Sequence, residues 1–167
     1  MKDLEQVKEA TDLLKNKKSI SIKNNGNGWL LFDAKNDSLG LQCNELSLTN
    51  FSILISTDRM ANQCVKDIPE VAWDMMDYAT TPLTLILDGG QFVSKSLINS
   101  DGSISIQKVT EGILFDIVNR CNRPIACVKR KHIPTIEPDL ALTIKSVKLN
   151  QKIMRVRLNG EIEIIAN

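Results

Sequence analysis

Hydrophobic residues recur at two different spacings along the chain, which predicts both helices and strands. Leu4, Val7 and Leu14 recur at helical spacing, so an amphipathic helix is expected over about residues 3–16. Alternating or compact apolar runs predict strands at 19–23, 29–32, 51–55, 83–87, 103–106, 124–128, 140–149, 152–158 and 161–165. Helical and strand patterns are therefore interspersed along most of the chain.

Capping residues predict three further helices between the strands. Ser56 or Thr57 is placed to cap a helix that continues to about Val65. Pro69 is typical of the first turn of the next helix, and Thr110 is placed to cap a later one. The fold class expected from this order is α/β: a single domain, residues 1–167, with a mixed, twisted β-sheet flanked by helices.

Two glycine-containing connections predict hairpins. The turn residues at 24–28 separate two strand patterns, and no helix with a Lys-Ser or Lys-Thr pair follows them, so a hairpin is favoured over a phosphate-binding loop. Asn159-Gly160, between two alternating runs, is the strongest short hairpin signal in the chain. The chain is therefore expected to close on a hairpin.

Composition narrows the class of protein. The charged amino terminus does not have the pattern of a signal peptide, and no apolar run reaches the roughly 18–20 residues of a membrane span. The four cysteines form no Cys-x-x-Cys pair and only one histidine is present, so they are interpreted as small core residues rather than zinc ligands. Unpaired thiols indicate a reducing compartment, and a cytoplasmic location is expected.

The residue types of common catalytic sites do not converge in this sequence. His132 lies in a cationic run, where like-charge repulsion lowers the pKa of its ring, and it is interpreted as a loop residue rather than a general base. Asp74 and Asp77 would share one face of a helix and are interpreted as solvent-exposed. No catalytic residue and no metal ligand is predicted.

Three stretches in the middle of the chain carry a resemblance to a known family. They are Val65-Lys-Asp-Ile-Pro-Glu-Val-Ala-Trp73, Thr81-Pro-Leu-Thr-Leu-Ile-Leu87 and Asp101-Gly-Ser-Ile-Ser-Ile106. Together they resemble the YrdC/YciO family of threonylcarbamoyl-AMP synthases, and weaker likenesses at 33–37 and 157–165 extend the resemblance over nearly the whole chain. The resemblance implies an open, twisted α/β sheet with a concave, basic surface. It also implies an activity that condenses threonine, bicarbonate and ATP to feed a tRNA modification.

The same comparison predicts that the family's substrate site is not retained. The family's Pro-Thr-Asp-Thr run falls on residues 23–26, its Lys-x-Arg pair falls within a stretch without cations at 44–50, and its later arginine falls on Gln107. Its Ser-Thr-Ser-Ala-Asn run falls on residues 127–131. The residues that would form the vestigial substrate cleft are Lys23, Asn24, Asn25, Pro82, Thr84 and Gln107.

The formal net charge of +1 hides an uneven distribution. Ten of the 21 lysines and arginines, but only two of the 20 acidic residues, lie between Ile117 and Asn159, so this segment carries +8 and the remainder −7. The candidate contacts for RNA or another polyanion are Arg120, Arg123, Lys129, Arg130 and Lys131. A basic face that complements the acidic part of the same molecule, or of a second copy, is the alternative interpretation.

Three hypotheses about function follow. The first is a non-catalytic YrdC-like protein that binds RNA, such as tRNA, or another polyanion, with no cofactor. The second is a diverged but active synthase or other enzyme that uses ATP. The third is an interaction module or homodimer that pairs through an edge hairpin, and none of the three involves a membrane.

Overall fold

The structure, a computed structural model, describes residues 2–24, 27–45, 51–130, 136–144, 149 and 152–166. The helices are α1 (Lys2–Lys15), α2 (Asp37–Glu45), α3 (Asp58–Cys64), α4 (Glu70–Tyr78) and α5 (Gly112–Cys121), with a 3-10 turn at Lys95–Leu97. The strands are β1 (Ile20–Asn24), β2 (Asn27–Asp33), β3 (Phe51–Ile55), β4 (Leu83–Leu87), β5 (Ile104–Lys108), β6 (Ile125–Arg130), β7 (Leu140–Thr143), β8 (Lys152–Val156) and β9 (Ile162–Ala166).

The nine described strands form one open, mixed sheet in the order β7-β1-β2-β6-β3-β5-β4-β8-β9. The pairs β1–β7, β3–β5 and β4–β8 are parallel, and the other neighbours are antiparallel. The hairpins β1–β2 and β8–β9 are the two that the turn residues predict, and Gly160 in the second has a φ of 87°. The expected α/β class with a mixed sheet is confirmed.

Apolar side chains cover both faces at the centre of the sheet. Leu54 of β3 and Cys127 of β6 project to one face, Ile53 and Ala126 project to the other, and all four are fully buried. Strands that are buried on both sides have continuous apolar sequences rather than alternating ones, as residues 51–55 and 125–128 do. The core is therefore a layer on each side of the central strands.

Helix α2 and the 3-10 turn are features that the periodicity did not predict. The side chain of Asn36 accepts a hydrogen bond from the backbone N–H of Leu39 at the start of α2. Gly40 lies inside α2, where a glycine lowers helix propensity. A Cβ at that position would lie 2.8 Å from Oγ of Ser94, so the close approach of the two segments requires the glycine that weakens the sequence signal.

Most predicted boundaries agree with the structure to within two residues, and two differences matter for the site. The residue that precedes α5 is Glu111, not Thr110, and Gly112 at the helix start has a φ of 84°. Strand β6 continues through Lys129 and Arg130, which were expected to follow the strand. The first part of the basic run is therefore held in the sheet.

Candidate functional site

A cleft of about 870 Å³ opens beside strands β4 and β5. Its walls come from the amino-terminal turns of α1 and α5, the end of α4, and the chain around β7 and Leu149. The lining residues are Asp3, Gln6, Met76, Ala79, Thr80, Thr81, Pro82, Leu83, Gln107, Lys108, Val109, Thr110, Glu111, Gly112, Ile113, Leu114, Thr143, Ile144 and Leu149. Two of the residues predicted for a vestigial cleft, Pro82 and Gln107, therefore line a real one.

A neutral polar pair lies at the base of this cleft. The Oγ1 hydroxyl of Thr84 donates a hydrogen bond of 3.1 Å to Oε1 of Gln107 on the neighbouring strand. The two residues are 1% and 3% exposed. The structure thus brings together Pro82, Thr84 and Gln107, and the position that the resemblance assigns to an arginine holds an uncharged amide.

The charged groups around the cleft do not favour an anion. Asp3 and Glu111 contribute two carboxylates, and Lys108 is the only cation among the described lining residues. Nζ of Lys108 lies 3.1 Å from a carboxylate oxygen of Asp58 and 3.6 Å from one of Asp77, so its charge is already balanced. Residues 145–148, which include Lys145 and Lys148, lie outside the described part of the chain.

Lys23 and Asn24 lie on β1 and do not themselves line the cleft, but β1 pairs with β7, which borders it. The register places Lys23 opposite Gly28 of β2 and Thr143 of β7. Asn24 ends the strand, and Asn25 lies outside the described residues. Thr143 lines the cleft, and the backbone N–H of Ile144, another lining residue, donates a hydrogen bond of 3.1 Å to the carbonyl of Lys23, so Lys23 is adjacent to the β7 wall of the cleft.

On its other side, the sheet register brings Lys23 near the basic run. Gly28 pairs with Lys23 on one side and with Arg130 on the other, so the Cα atoms of these three residues form one row across β1, β2 and β6. Two strand spacings separate Lys23 from Arg130, about 10 Å. Lys129 precedes Arg130 and is exposed, whereas Lys131 lies outside the described residues. We call Lys23, Lys129 and Arg130 the basic strand ends.

Side chains alternate across a sheet, and this decides where the two described lysine side chains point. Lys129 pairs in register with Trp29, which is adjacent to the Gly28 that pairs with Lys23. Lys23 and Lys129 therefore project from opposite faces at the same end of the sheet. Gln107 projects from the same face as Lys129, because Leu54 pairs in register with both Gln107 and Ile125.

The other predicted cations of this region lie elsewhere. Arg123 lies before the first residue of β6, at the opposite end of that strand, and its Nη1 is 2.9 Å from Oδ2 of Asp33. Arg120 is on α5 and lines a groove of about 450 Å³ together with two carboxylates, Asp3 and Asp116. Arg120, Arg123 and the described pair at residues 129–130 therefore lie in three different places.

Two further arginines of the basic segment are bound within the fold. Arg155 pairs with Asp101 and Asp88, and Arg157 lies 3.4 Å from Asp88. Hydrogen bonds from the side chain and backbone of Ser103, followed by one from Arg155, hold the pKa of Asp101 well below its usual range. For Arg123, Arg155 and Arg157 the structure matches the interpretation of a basic segment that complements acidic residues of the same molecule.

The cysteines belong to the core. All four are free and buried, as expected. Burial raises the pKa of the Cys43 thiol to about 11 and that of Cys64 to about 12. A raised pKa keeps a thiol protonated and unreactive at neutral pH. Among the described residues, no group of three or more His, Cys, Asp and Glu is placed to hold a metal ion.

Solved structures share this fold. Sua5 from P. abyssi, in complex with L-threonine, is 14% identical with a TM-score of 0.73, and the match covers 90% of this chain and 51% of that one. E. coli YciO is 14% identical with a TM-score of 0.69, covering 98% of this chain and 91% of that one. Full-length HypF in its phosphate- and nucleotide-bound form is 15% identical with a TM-score of 0.71, covering 95% and 28%.

The resemblance in sequence is therefore matched by the fold, which is of the YrdC/YciO type. The chain spans about half the length of the Sua5 chains that it matches, which are covered over 50% and 51%. No protein-family model and no curated protein matches the sequence. None of the helices that the structure describes is both long and apolar enough to cross a membrane.

The contacts that sequence reasoning missed are those of Lys108. This residue follows Gln107 in the predicted strand pattern, but its two carboxylate partners come from α3 and α4, 50 and 31 positions earlier in the chain. Asp77 was interpreted as solvent-exposed, and its side chain is 49% exposed while it contacts Lys108. No local pattern signals such a contact, because it depends on how two helices pack against the sheet.

Proposed function

We propose that the chain is a YrdC-like domain without synthase activity and that it binds RNA through phosphate contacts at the basic strand ends. The observation that carries the proposal is the register row in which Gly28 lies between Lys23 and Arg130. Gly28 has no side chain to separate the two basic positions. Cations from two strands distant in sequence are thus placed at one end of the sheet.

The lysines of the basic strand ends are available for phosphate groups. Lys23 and Lys129 are exposed and make no ion pair with any described residue. By contrast, Arg123, Arg155 and Arg157 are each paired with an aspartate. This difference separates the cations that stabilise the fold from the described lysines that are free to bind a polyanion.

The neighbourhood of Lys129 favours contacts with phosphates over contacts with bases. Trp29 pairs with Lys129 in register but is only 6% exposed, so its ring is not available for stacking on a base. Lysine and arginine contacts to phosphates give an affinity that depends strongly on salt and weakly on sequence. We therefore expect binding to tRNA and to other structured RNA with similar affinity.

The cleft supports the non-catalytic part of the proposal. A bound nucleotide triphosphate requires several charge-assisted hydrogen bonds, each worth about 1.5–3 kcal/mol. The described lining offers two carboxylates, the neutral amide of Gln107 that is bonded to Thr84, and one lysine already bound to Asp58 and Asp77. These residues do not fit ATP. By contrast, the structure of full-length HypF holds a nucleotide.

The RNA proposal is tested by fluorescence anisotropy with a labelled tRNA transcript at a series of salt concentrations. The variant Lys23→Gln/Lys129→Gln is expected to bind more weakly and to reduce the slope of log K against log salt by about 2. The matched control is Lys66→Gln/Lys95→Gln, which removes two exposed lysines that are far from β1 and β6 in sequence. The control is expected to leave the slope unchanged.

Two results would overturn the RNA proposal. If the unmodified protein does not bind tRNA at low salt, the RNA proposal is wrong. Equal losses in the two double variants would show that the protein responds only to its total charge. Circular dichroism melts of each variant establish that a lost affinity is not a lost fold.

The synthase alternative is tested separately by pyrophosphate release with threonine, bicarbonate and ATP. We expect no release above that of a protein-free control. Turnover would support the second hypothesis, a diverged enzyme, and would leave the result of the RNA experiment unaffected. The two halves of the proposal can therefore fail independently.

A further inference from the structure

Strand β9 ends the sheet, and no described strand pairs with its outer side. In an edge strand, the N–H and C=O groups of alternate residues point outward without partners in the sheet. Native proteins usually protect such an edge with prolines, charged side chains, β-bulges or a covering segment. The sequence of β9, Ile-Glu-Ile-Ile-Ala, contains neither proline nor lysine, and the irregularity in its pairing with β8 lies beyond Ile164, between the positions opposite Met154 and Ile153.

The apolar side of β9 is unusually exposed. Eight large hydrophobic residues of the described chain are exposed, and four of them lie in the last hairpin: Leu158, Ile162, Ile164 and Ile165, at 59%, 49%, 61% and 48%. A contiguous apolar patch on a soluble surface commonly marks an interaction site. Ile162 and Ile164 lie on one face of β9, and we call these two residues the edge patch.

The register shows that the edge patch continues the core of the protein. Leu87 of β4 pairs with Val156 of β8, which pairs with Ile162 of β9. Leu85, Met154 and Ile164 form a second row in the same way. Along each row the residues change from buried to exposed, since Leu85 and Leu87 are fully buried whereas both isoleucines are in solvent. One more strand would bury the end of each row.

The opposite side of β9 carries negative charge. Glu161 and Glu163 are exposed and make no ion pair with any described residue. Glu163 pairs in register with Arg155, but that guanidinium is bound to Asp101 and Asp88. An added strand would therefore meet isoleucines on one face and uncompensated carboxylates on the other.

We propose that β9 accepts an extended segment of a partner protein as a tenth strand, and that this segment alternates apolar residues with lysine or arginine. Its main chain would bond to the outer groups of β9, as in other cases of strand addition. Its apolar side chains would pack on Ile162 and Ile164, and its cations would lie opposite Glu161 and Glu163. The alternation follows from the period of two in a strand.

A second copy of the chain is a poorer occupant of this edge. Pairing β9 with itself would place Glu161 and Glu163 of both copies along one face of adjacent strands, where like charges are destabilising. The exposed area of four half-exposed aliphatic residues is also well below the roughly 800 Å² per partner of a standard stable interface. The surface suits a short strand of opposite charge better than itself.

The proposal is tested with three labelled peptides of about seven residues, the length of a typical strand. The first alternates lysine and valine, the second has the same composition in two blocks, and the third alternates glutamate and valine. We expect the alternating basic peptide to bind about tenfold more tightly than the block peptide. The block peptide has the same charge, but as a strand it cannot place its valines on one face and its lysines on the other. The acidic peptide is expected not to bind.

Variants of the protein locate the site. Glu161→Lys/Glu163→Lys is expected to reverse the preference, so that the acidic alternating peptide binds and the basic one does not. The more conservative variant Ile162→Thr/Ile164→Thr keeps strand propensity and is expected to weaken the binding of the alternating basic peptide. Because both pairs are exposed, we expect these variants to fold, and thermal melts check this.

Three outcomes would overturn the proposal. Equal affinity for the alternating and block peptides would show a simple attraction between charges. Equal affinity in the Glu161→Lys/Glu163→Lys variant would place the peptide elsewhere. A dimer in light scattering that Ile162→Thr/Ile164→Thr dissociates would assign this edge to a second copy of the chain.

Discussion

The hydroxyl of Thr84 and the amide oxygen of Gln107 are joined by a hydrogen bond of 3.1 Å between β4 and β5, at the base of the cleft. Both side chains are buried, and a buried polar group that loses a partner is costly. A neutral pair thus occupies the place where the sequence resemblance expects an arginine. The Thr84–Gln107 hydrogen bond therefore stabilises the fold at this position without the need for a ligand.

The Thr84–Gln107 bond predicts a measurable contribution to stability. Thr84→Val keeps the shape of the side chain and removes the hydroxyl, so we expect the free energy of unfolding to fall by about 1–2 kcal/mol. Urea denaturation measures the change. Thr143→Val, at an exposed position of the same cleft, is the control and is expected to alter stability by less than about 0.5 kcal/mol. Equal effects of the two variants would contradict the prediction.

The Asp33–Arg123 pair is predicted to stabilise the fold rather than to bind RNA. The side chain of Asp33 is only 11% exposed, while that of Arg123 is 42% exposed, so solvent screens part of the attraction. We expect Arg123→Gln to lower the free energy of unfolding by about 1 kcal/mol and to leave the salt dependence of RNA binding unchanged. Unchanged stability with weaker RNA binding would instead place Arg123 on the RNA surface.

Asp101 predicts a pH dependence of stability. Its pKa in the folded protein is lowered by hydrogen bonds from Ser103 and by Arg155, so folding favours the charged carboxylate. The stabilisation is therefore present above the unfolded pKa of about 4 and is lost as the pH falls through the folded value. Asp101→Asn should lower the melting temperature at pH 7, and the difference from the unmodified protein should shrink below about pH 4. A difference that is constant across this range would rule out the carboxylate as its cause.

The buried cysteines predict a sharp contrast in thiol reactivity. Desolvation by burial raises the pKa of Cys121 to about 11 and also raises that of Cys127. Because the thiolate is the reactive form, we expect no fast reaction with a disulfide reagent at pH 8 in the native state. All four thiols should react after unfolding in urea, as absorbance of the released chromophore will show. A fast native reaction would identify an exposed thiol.

Elements with an uninterrupted local pattern were predictable from the sequence. Helix α1 and strands β3 and β4 were expected within about one residue of their observed bounds, because long or continuous apolar patterns are the most reliable local signal. Thr57 caps α3 as one of two candidates, accepting a hydrogen bond from the N–H of Met60. Helix α2 was missed because Gly40, which breaks its pattern, is required by its contact with Ser94.

The candidate site was predictable only in part. Thr84 and Gln107 are partners in one short strand pairing and Pro82 immediately precedes β4, so the likeness of two sequence stretches was enough to group them. Lys23 was assigned to the same cleft; it does not line the cleft but pairs with Thr143 of the cleft wall, and on its other side β2 connects it to β6. The pairing of strands far apart in sequence leaves no mark in the period of either strand, and for that reason the basic strand ends were not predicted as a group.

The charge distribution also has one part that follows from the sequence and another that depends on the fold. The excess of ten cations over two anions between Ile117 and Asn159 is a property of the sequence, as are the strand and helix patterns that carry it. Which of those cations are balanced was decided by the fold, where Asp33, Asp88 and Asp101 meet Arg123, Arg157 and Arg155 from distant positions. Periodicity and composition depend on near neighbours in the chain, whereas charge compensation and exposed edges depend on which segments lie side by side in the sheet.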